Sequence, residues 1–200
     1  MSALVDVLNK RHSQYVLDGN VTLSNDEIVK VIKDTAAAVP SAFNSNPQRM
    51  VIVFGEEHKA LWNDIVLGAL KNVTAEEQFA KTQEKIAGFA AAYGTVLFFD
   101  DTDVTKGLQE NFPLYADNFP RWANEANGSL QLAVWTALAE AGLGASVQHY
   151  NPLIDDEVAS HFNIPASWKL IAQMPFGHVV QATGAENHGD INERVRVIGE

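Results

Sequence analysis

Two basic clusters in this chain contain the residue types that bind a phosphate group. Arg11, His12 and Ser13 follow the first predicted helix, and Arg194 and Arg196 lie near the carboxyl end. A guanidinium group binds phosphate through two parallel hydrogen bonds, and a serine hydroxyl can satisfy a further phosphate oxygen. Together the two clusters could hold one monophosphate. The alternative is two patches of solvated surface charge, because sequence spacing does not show that residues 11 and 194 meet.

Two further segments carry polar groups suited to the edge of a flat heterocycle. Residues 41–48 (SAFNSNPQ) offer amide and hydroxyl groups directly before a predicted strand. A loop that uses Asn and Ser only for its own turns is the alternative. Residues 148–151 (QHYN) stand where a second predicted strand ends, which is where ligands often bind in α/β proteins. There the alternative is a histidine with a purely structural role.

Several classes of chemistry are excluded by what the sequence lacks. It has no cysteine, so disulfides, thiolate nucleophiles and cysteine-bound metals are ruled out. None of the 6 histidines has a second histidine at i+4, and no HExxH occurs, so no dedicated metal site is predicted. The glycine motifs of dinucleotide-binding folds, phosphate-binding loops and α/β hydrolases are also absent. Any redox chemistry would therefore need a bound cofactor or a histidine-bound metal.

The composition of the 200-residue chain indicates one compact domain spanning residues 1–200, because 46% of the residues are hydrophobic. Its net charge of −11 would repel nucleic acid and anionic membrane surfaces. No apolar run approaches the roughly 20 residues that a membrane span needs, and the amino terminus lacks the apolar core of a signal peptide. A cytoplasmic protein is expected.

The spacing of apolar residues predicts a chain in which helices outweigh strands. Helices are predicted over residues 3–9, 24–38, 56–72, 74–90 and 121–141, with a short one from residue 155. Capping boxes at residues 24 and 27 and at residues 74 and 77 support two of them. Strands are predicted over residues 50–54, 95–99, 169–174 and 194–198, and residues 145–152 are predicted to be a short strand that enters a loop. Because helical stretches rather than tight turns separate the strands, an α+β or three-layer architecture is favoured.

Four motifs, in this order and spacing, resemble those of the nitroreductase family of flavin enzymes. Residues 10–13 (KRHS) resemble its amino-terminal phosphate motif, and residues 39–47 (VPSAFNSNP) resemble its A-P-S-x-x-N-x-Q-P loop. Residues 142–152 (GLGASVQHYNP) resemble the strand that passes the flavin, in the form found in a short branch with fungal Frm-type and bacterial copper-induced nitroreductases. The basic carboxyl-terminal tail completes the set. The resemblance spans nearly the whole chain.

The resemblance implies a three-layer α+β fold with a central, mostly antiparallel sheet and a long central helix. It also implies a homodimer with flavin mononucleotide (FMN) at the subunit interface. The clusters at residues 11–13 and 194–196 would hold the phosphate or ribityl chain, loop 41–46 would reach the flavin of the partner subunit, and the backbone of residues 148–150 would place an N–H near flavin N5. By position, the cofactor-binding residues would be Arg11, His12, Ser13, Tyr15, Ser41, Asn44, Asn46, Gln148, His149, Tyr150, Arg194 and Arg196.

The chain departs from the family pattern at four of these motif positions. Tyr15 stands where many relatives have a lysine near the pyrimidine ring, and Lys71 is one candidate for supplying that positive charge. Asn46 replaces a glutamine, Gln48 replaces an aromatic residue, and His149 occupies a position that is often acidic. Contacts to the pyrimidine edge and the substrate preference are therefore left open.

The resemblance implies an FMN-dependent oxidoreductase that uses NADH or NADPH to reduce nitroaromatics or quinones. Hydride would pass through flavin N5 in a ping-pong cycle, and no side chain would act as a nucleophile. One alternative is a flavin-binding sensor or storage protein with little turnover. Another is a flavin-free helical interaction protein, which the colour of the purified protein would distinguish.

Overall fold

The computed structural model of this chain describes residues 2–184 and 189–199. Within these residues, helices cover more of the chain than strands do. The helices are α1 (Ala3–Lys10), α2 (Asn25–Ala38), α3 (Gly55–Ala60), α4 (Leu67–Lys71), α5 (Glu76–Ala90), α6 (Thr102–Asn111), α7 (Phe119–Glu140) and α8 (Asp155–His161). The strands are β1 (Val16–Asp18), β2 (Gln48–Phe54), β3 (Gly94–Asp101), β4 (Gly144–Ala145) and β5 (Trp168–Gln181). A π-helical turn, Leu61–Val66, joins α3 to α4.

All strands belong to one antiparallel sheet with the order β1-β5-β3-β2. The long strand β5 pairs with β3 over its first part and with both β4 and β1 near its end. Strand β2 forms one edge of the sheet. Because the pairing partners are far apart in sequence, helices rather than hairpins connect most of them.

Each face of the sheet is covered by its own hydrophobic cluster. Along β3, Val96 and Phe98 belong to the cluster that contains residues of α2 and α7, whereas Leu97 and Phe99 belong to the cluster of the π-helical turn, α4, α5 and α8. Alternate residues of a strand lie on opposite faces, so an apolar run such as this one is buried on both sides. The predicted three-layer α+β architecture is confirmed.

Local signals placed several helices correctly. Ser24 and Glu27 form the predicted capping box at the start of α2. The long central helix predicted over residues 121–141 is α7, which begins two residues earlier, with Pro120 in its first turn. The helix predicted over residues 56–72 is present as the continuous run α3, π turn and α4. Among the described residues, no helix is long and apolar enough to cross a membrane.

Two predictions about element ends are wrong, and a third differs by one residue. Thr74 does not cap α5: Ala75 occupies the N-cap position and no side chain caps the helix, while the Thr74 N–H donates to the Leu70 carbonyl at 2.9 Å. The short strand predicted to enter a loop over residues 145–152 is present as β4, which begins one residue earlier, and an isolated bridge between Gln148 and Gln173 follows it. The strand predicted from residue 169 runs on to Gln181, past Pro175, because pairing with β1 and β4 extends it.

The predicted tail strand over residues 194–198 is also wrong for the described chain. Residues 194–199 are all exposed and belong to no strand. Val195, Val197 and Ile198 alternate as in a half-buried strand, but the described part of the protomer offers no surface that covers them. Two short elements, β1 and α6, were not predicted, since neither carries a strong apolar pattern of its own.

Candidate functional site

The Arg11 side chain lies on the ring of Trp135, a residue of the central helix. Its guanidinium carbon is 4.2 Å from the centroid of the Trp135 ring, within the range of a cation–π contact. Helix α1 ends at Lys10, and Arg11 has extended backbone angles that turn the chain away from the helix axis. No described residue accepts a hydrogen bond from the guanidinium, and its Nε is buried without a partner. Arg11 is therefore a half-buried cation with unused donors.

The segment after Arg11 is fixed to the short strand β4. Ser13 forms a parallel bridge with Ala145, and the N–H of Gln14 donates to the Ala145 carbonyl at 3.0 Å. Trp135 Nε1 donates to the same carbonyl at 3.1 Å. The segment after α1, the helix α7 and the strand β4 thus meet at Ala145. The side chains of His12 and Ser13 have no hydrogen bond to any described residue.

Gln14 connects this cluster to the chain that follows β5. Its Oε1 accepts a hydrogen bond from the Thr183 N–H at 2.8 Å. The carboxyl-terminal tail therefore starts beside the amino-terminal cluster. Farther along the tail, Arg194 and Arg196 are exposed, and no described residue forms an ion pair with them. The structure brings the start of the tail to Gln14 but shows no contact between Arg11 and either tail arginine.

The segment of residues 148–150 is positioned by Gln173 of β5, which is fully buried. Gln148 and Gln173 exchange two backbone hydrogen bonds of 2.7 and 2.9 Å. The Gln173 side chain accepts from the Tyr150 N–H at 2.9 Å and donates to Asn151 Oδ1 at 3.1 Å. The N–H of His149, between them, has no acceptor among the described residues. One main-chain donor is therefore available on a rigidly held segment.

Burial raises the pKa of the Tyr150 phenol to about 12. At neutral pH the phenol is therefore protonated and neutral. Its ring packs against Trp62 with a centroid separation of 5.9 Å, which anchors the side chain in one of the two cores.

The loop of residues 41–46 uses two of its three predicted side chains for its own shape. The Ser41 hydroxyl accepts from the Asn46 N–H at 2.8 Å and donates to Asn46 Oδ1 at 3.3 Å. Asn46 Nδ2 donates to the Asn44 carbonyl at 3.1 Å, and Asn44 and Asn46 both have positive φ, of 51° and 48°. Only the Asn44 side chain is exposed with no partner among the described residues.

Arg49 holds this loop against the sheet. One of its Nη atoms donates to the Asn46 carbonyl at 2.6 Å, and the other forms a 2.9 Å ion pair with Asp101. The loop lies along the start of α7, where Ser41 and Trp122 line a cleft of about 200 Å³. No hydrogen bond, ion pair or ring contact joins loop 41–46 to Arg11 or to residues 148–150 in the described protomer. Among the described residues, the predicted site residues thus form three groups that share no such contact: the residues around β4, loop 41–46 and the two tail arginines.

Two site features were not predicted from the sequence. The support that Gln173 gives to residues 148–150 could not be predicted, because in the sequence a buried glutamine within a strand looks the same as a polar residue on an exposed face. Tyr15, which was predicted to contact the cofactor, is exposed. Its carbonyl oxygen faces Gly88 of α5, where a side chain as small as a methyl group would lie 4.0 Å away. Helix α5 therefore runs beside the cluster, a neighbour that the sequence did not indicate.

The fold has three layers, with helices on both faces of one antiparallel sheet and a long central helix. Known protein structures share this fold. Nitroreductase CinD from Lactococcus lactis, solved with nicotinic acid, has a TM-score of 0.92 and 43% identity, covering 98% of this chain and 100% of that one. CinD has also been solved with 4-nitrophenol. A nitroreductase from Desulfitobacterium hafniense with bound FMN shares the fold, with a TM-score of 0.72 and 16% identity over 100% of both chains.

The sequence comparisons agree with the structural ones. The putative nitroreductase HBN1 of Saccharomyces cerevisiae is 35% identical over 172 residues, which are 86% of this chain and 83% of that protein. The model of the Nitroreductase family matches residues 8–178. This chain belongs to the nitroreductase family, and the predicted resemblance is confirmed. Its general role is that of an oxidoreductase.

Proposed function

We propose that this protein is an FMN-dependent oxidoreductase that uses NADH or NADPH to reduce nitroaromatics or quinones. The observation that carries the proposal is the unused polar chemistry of Arg11, His12 and Ser13. In a chain with a net charge of −11, a half-buried guanidinium without any acceptor among the described residues is costly unless an anion binds there. A phosphate monoester supplies such an anion.

The residues present fit one terminal phosphate. Arg11 would form charge-assisted hydrogen bonds with it, and Ser13 would donate its hydroxyl, with His12 beside them. Arg194 and Arg196 would close the site from the tail, which starts next to Gln14. The sequence has no glycine motif for a dinucleotide, so FMN rather than FAD is favoured.

The residues around position 148 fit the flat part of the cofactor. Gln173 fixes the backbone of Gln148 and Tyr150, and this leaves the His149 N–H free to donate to a ring nitrogen. When bound, a flavin would supply the redox chemistry through its N5, accepting hydride from NAD(P)H and passing it to the acceptor in a ping-pong cycle. The chain's own contribution would be binding and orientation, with no catalytic side chain.

The second group of predicted residues would act on the other subunit of a homodimer. Loop 41–46 makes no hydrogen bond, ion pair or ring contact with Arg11 within the described protomer, and we propose that it serves the FMN site of the partner subunit. Asn44 is the side chain free to do so, while Ser41 and Asn46 shape the loop. We further propose that residues 1–200 form one domain, since both cores flank one sheet, and that the protein is cytoplasmic.

The proposed acceptors are flat aromatic molecules. CinD, at 42% identity, has been solved with chloramphenicol and with 4-nitrophenol, both of which carry a nitro group. A ring-shaped acceptor would occupy the place of the nicotinamide after it leaves, as a ping-pong cycle requires.

The test is to purify the protein, identify its released cofactor and follow NADH and NADPH oxidation with menadione and with 4-nitrophenol as acceptors. We expect FMN and turnover with at least one of the two acceptors. FMN binding without turnover would favour the sensor or storage alternative. A protein that binds no flavin after reconstitution would contradict the proposal.

A further inference from the structure

Trp135 of the central helix is joined to the Arg11 segment in two ways, through its ring and through its N–H. The guanidinium carbon of Arg11 lies 4.2 Å from the centroid of the indole. Trp135 Nε1 donates to the Ala145 carbonyl at 3.1 Å, and the same oxygen accepts from the Gln14 N–H at 3.0 Å. The indole therefore contacts the side chain of Arg11 directly and is linked to the main chain that follows it through one shared oxygen.

The packing around this oxygen leaves little room for movement. Ser13 forms a bridge with Ala145, and a side chain at Gly144, even a methyl group, would lie 2.9 Å from the Gln14 Cβ. Only glycine lets the segment after Arg11 lie so close to β4. The indole itself is half-buried and packs against the hydrophobic cluster that contains residues of α2 and α7. Trp135 is therefore a fixed support for this segment.

A second arginine–tryptophan pair in the chain shows the difference between a structural arginine and Arg11. The guanidinium of Arg49 lies 5.8 Å from the centroid of the Trp168 ring, farther than in the Arg11 pair. Its Nη atoms donate to the carbonyls of Asn46 and Gln48 and form the ion pair with Asp101. Arg49 is thus held by hydrogen bonds, whereas no described residue accepts one from the Arg11 guanidinium. The ring of Trp135 is what orients Arg11.

We propose that Trp135 is a positioning residue for the FMN phosphate, which acts by holding the Arg11 guanidinium in its binding orientation before the cofactor arrives. A free arginine side chain populates many rotamers, and ordering it during binding costs free energy. Stacking on an indole orders the side chain in advance and leaves its N–H donors available for phosphate. This inference rests on the proposed function, and it adds a residue outside the four family motifs.

The experiment is a double-mutant cycle on FMN affinity. Dissociation constants are measured for the wild type, Trp135→Leu, Arg11→Ala and the Arg11→Ala/Trp135→Leu double variant, and also for Trp135→Phe. Quenching of the fluorescence of FMN, rather than of the protein, is followed, so that removing a tryptophan does not change the signal. The Arg11→Ala background is the matched control, because it contains the same packing change at Trp135 without the guanidinium.

Folding of each variant is checked by circular dichroism. Because the indole packs against the core, Trp135→Met serves as a second variant without a ring and replaces Trp135→Leu in the cycle if the leucine variant does not fold.

We expect Trp135→Leu to weaken FMN binding about fivefold in the wild-type background, the size of one cation–π contact. In the Arg11→Ala background the same change should weaken binding less than about twofold, because the residue then has no cation to position. Trp135→Phe should lie between Trp135→Leu and the wild type, since it keeps a ring under Arg11 but loses the N–H. A merely structural role would give the same loss in both backgrounds.

Three results would overturn the inference: an equal loss in the two backgrounds, no loss in the wild-type background, or a Trp135→Phe variant that binds no better than Trp135→Leu. All three are distinct from failure of the proposed function, in which even the wild type would not bind FMN.

Discussion

Arg11 combines features that are rarely found together in a surface residue. It stacks on Trp135, its Nε is buried without a partner, and no described carboxylate neutralises it. A solvated surface arginine would keep its donors in water, and an arginine with a structural role would spend them on carbonyl or carboxylate oxygens. The stacking on the indole orients the planar guanidinium without consuming its hydrogen bonds, which is the arrangement expected of a preorganised anion site.

Replacing Arg11 should therefore affect cofactor affinity more than turnover. Arg11→Ala removes a charge-assisted interaction of about 1.5 to 3 kcal/mol, which corresponds to a roughly ten- to hundredfold loss of FMN affinity. Arg11→Lys should recover only part of the loss, because it keeps the charge but not the planar fork. Titration of the apo-protein with FMN by fluorescence quenching measures both. A change of less than about threefold would show a solvated charge instead.

At the scale of elements, α3 is joined to β3 by a buried polar network. Trp62 Nε1 donates to the Thr95 hydroxyl at 2.9 Å, so the hydroxyl proton is available for His58 Nδ1, also at 2.9 Å. Desolvation is the main cause that lowers the pKa of His58, to about 4 from 6.5, and the imidazole is 1% exposed. The folded protein therefore keeps this ring neutral at pH values where the unfolded chain protonates it.

This network predicts a loss of stability in mild acid. Between pH 6.5 and pH 4 the unfolded chain binds a proton at His58 that the folded protein does not bind. The free energy of unfolding therefore decreases as the pH falls through this range, by about 1.4 kcal/mol at pH 5.5 relative to neutral pH. His58→Gln should have a lower free energy of unfolding than the wild type at pH 7.5. At pH 5.5 the gap between the two free energies should be smaller by about 1.4 kcal/mol, because only the wild type loses stability through His58. Urea unfolding at the two pH values measures it. A difference that does not change with pH would contradict the assignment.

The central helix α7 is joined to β3 by a second buried pair. Asn127 Nδ2 donates to Asp100 Oδ1 at 2.8 Å and to the Phe99 carbonyl at 3.1 Å, and Gln131 donates to Asn127 Oδ1 at 2.8 Å. Burial raises the pKa of Asp100, while the bond from Asn127 acts in the opposite direction. The amide thus partly offsets the cost of a buried carboxylate.

Removing this amide should destabilise the fold. Asn127→Ala leaves Asp100 without its donor and should lower the free energy of unfolding by about 2 to 3 kcal/mol at pH 7. The pKa of Asp100 should rise further, since desolvation is then unopposed. Asn124→Ala, an exposed asparagine on the same helix, is the matched control and should cost far less. Equal losses in the two variants, measured by urea unfolding, would refute the role of the pair.

At the scale of the molecule, the protomer leaves apolar surface uncovered. Leu132 of α7 is exposed, as are Val195, Val197 and Ile198 of the tail, the last by 83%. The loop with Asn44 and the cluster around Arg11 belong to one proposed site but share no hydrogen bond, ion pair or ring contact within the described protomer. A closed two-fold assembly accounts for both observations, because it buries the same surface on each subunit and brings each loop to the other site.

Light scattering should therefore show a particle of twice 21.9 kDa for the flavin-loaded protein. Asn44→Ala should weaken FMN binding without dissociating the dimer, because the residue is exposed and has no partner among the described residues of its own chain. A flavin-loaded monomer in solution would be incompatible with a shared site.

Much of the fold was predictable because it depends on local signals. The capping box at Ser24, the apolar run of β3 and the helical spacing of α7 each involve residues close in sequence, so their patterns reflect which face is buried. The motif residues 10–13, 39–47 and 142–152 likewise indicate the family by residue type and spacing alone, and the similarity to known nitroreductases confirms it.

Other features depend on contacts between residues distant in sequence, and only the tertiary structure decided them. The stacking of Arg11 on Trp135, the support of residues 148–150 by Gln173 and the approach of α5 to Tyr15 all arise this way. The tail shows the same limit: its alternation predicts a strand, but a strand forms only where a sheet edge or a partner accepts its hydrogen bonds. Residue type and spacing alone therefore predicted the residues proposed to bind the cofactor, and packing decided which of their polar groups have no partner in the described protomer.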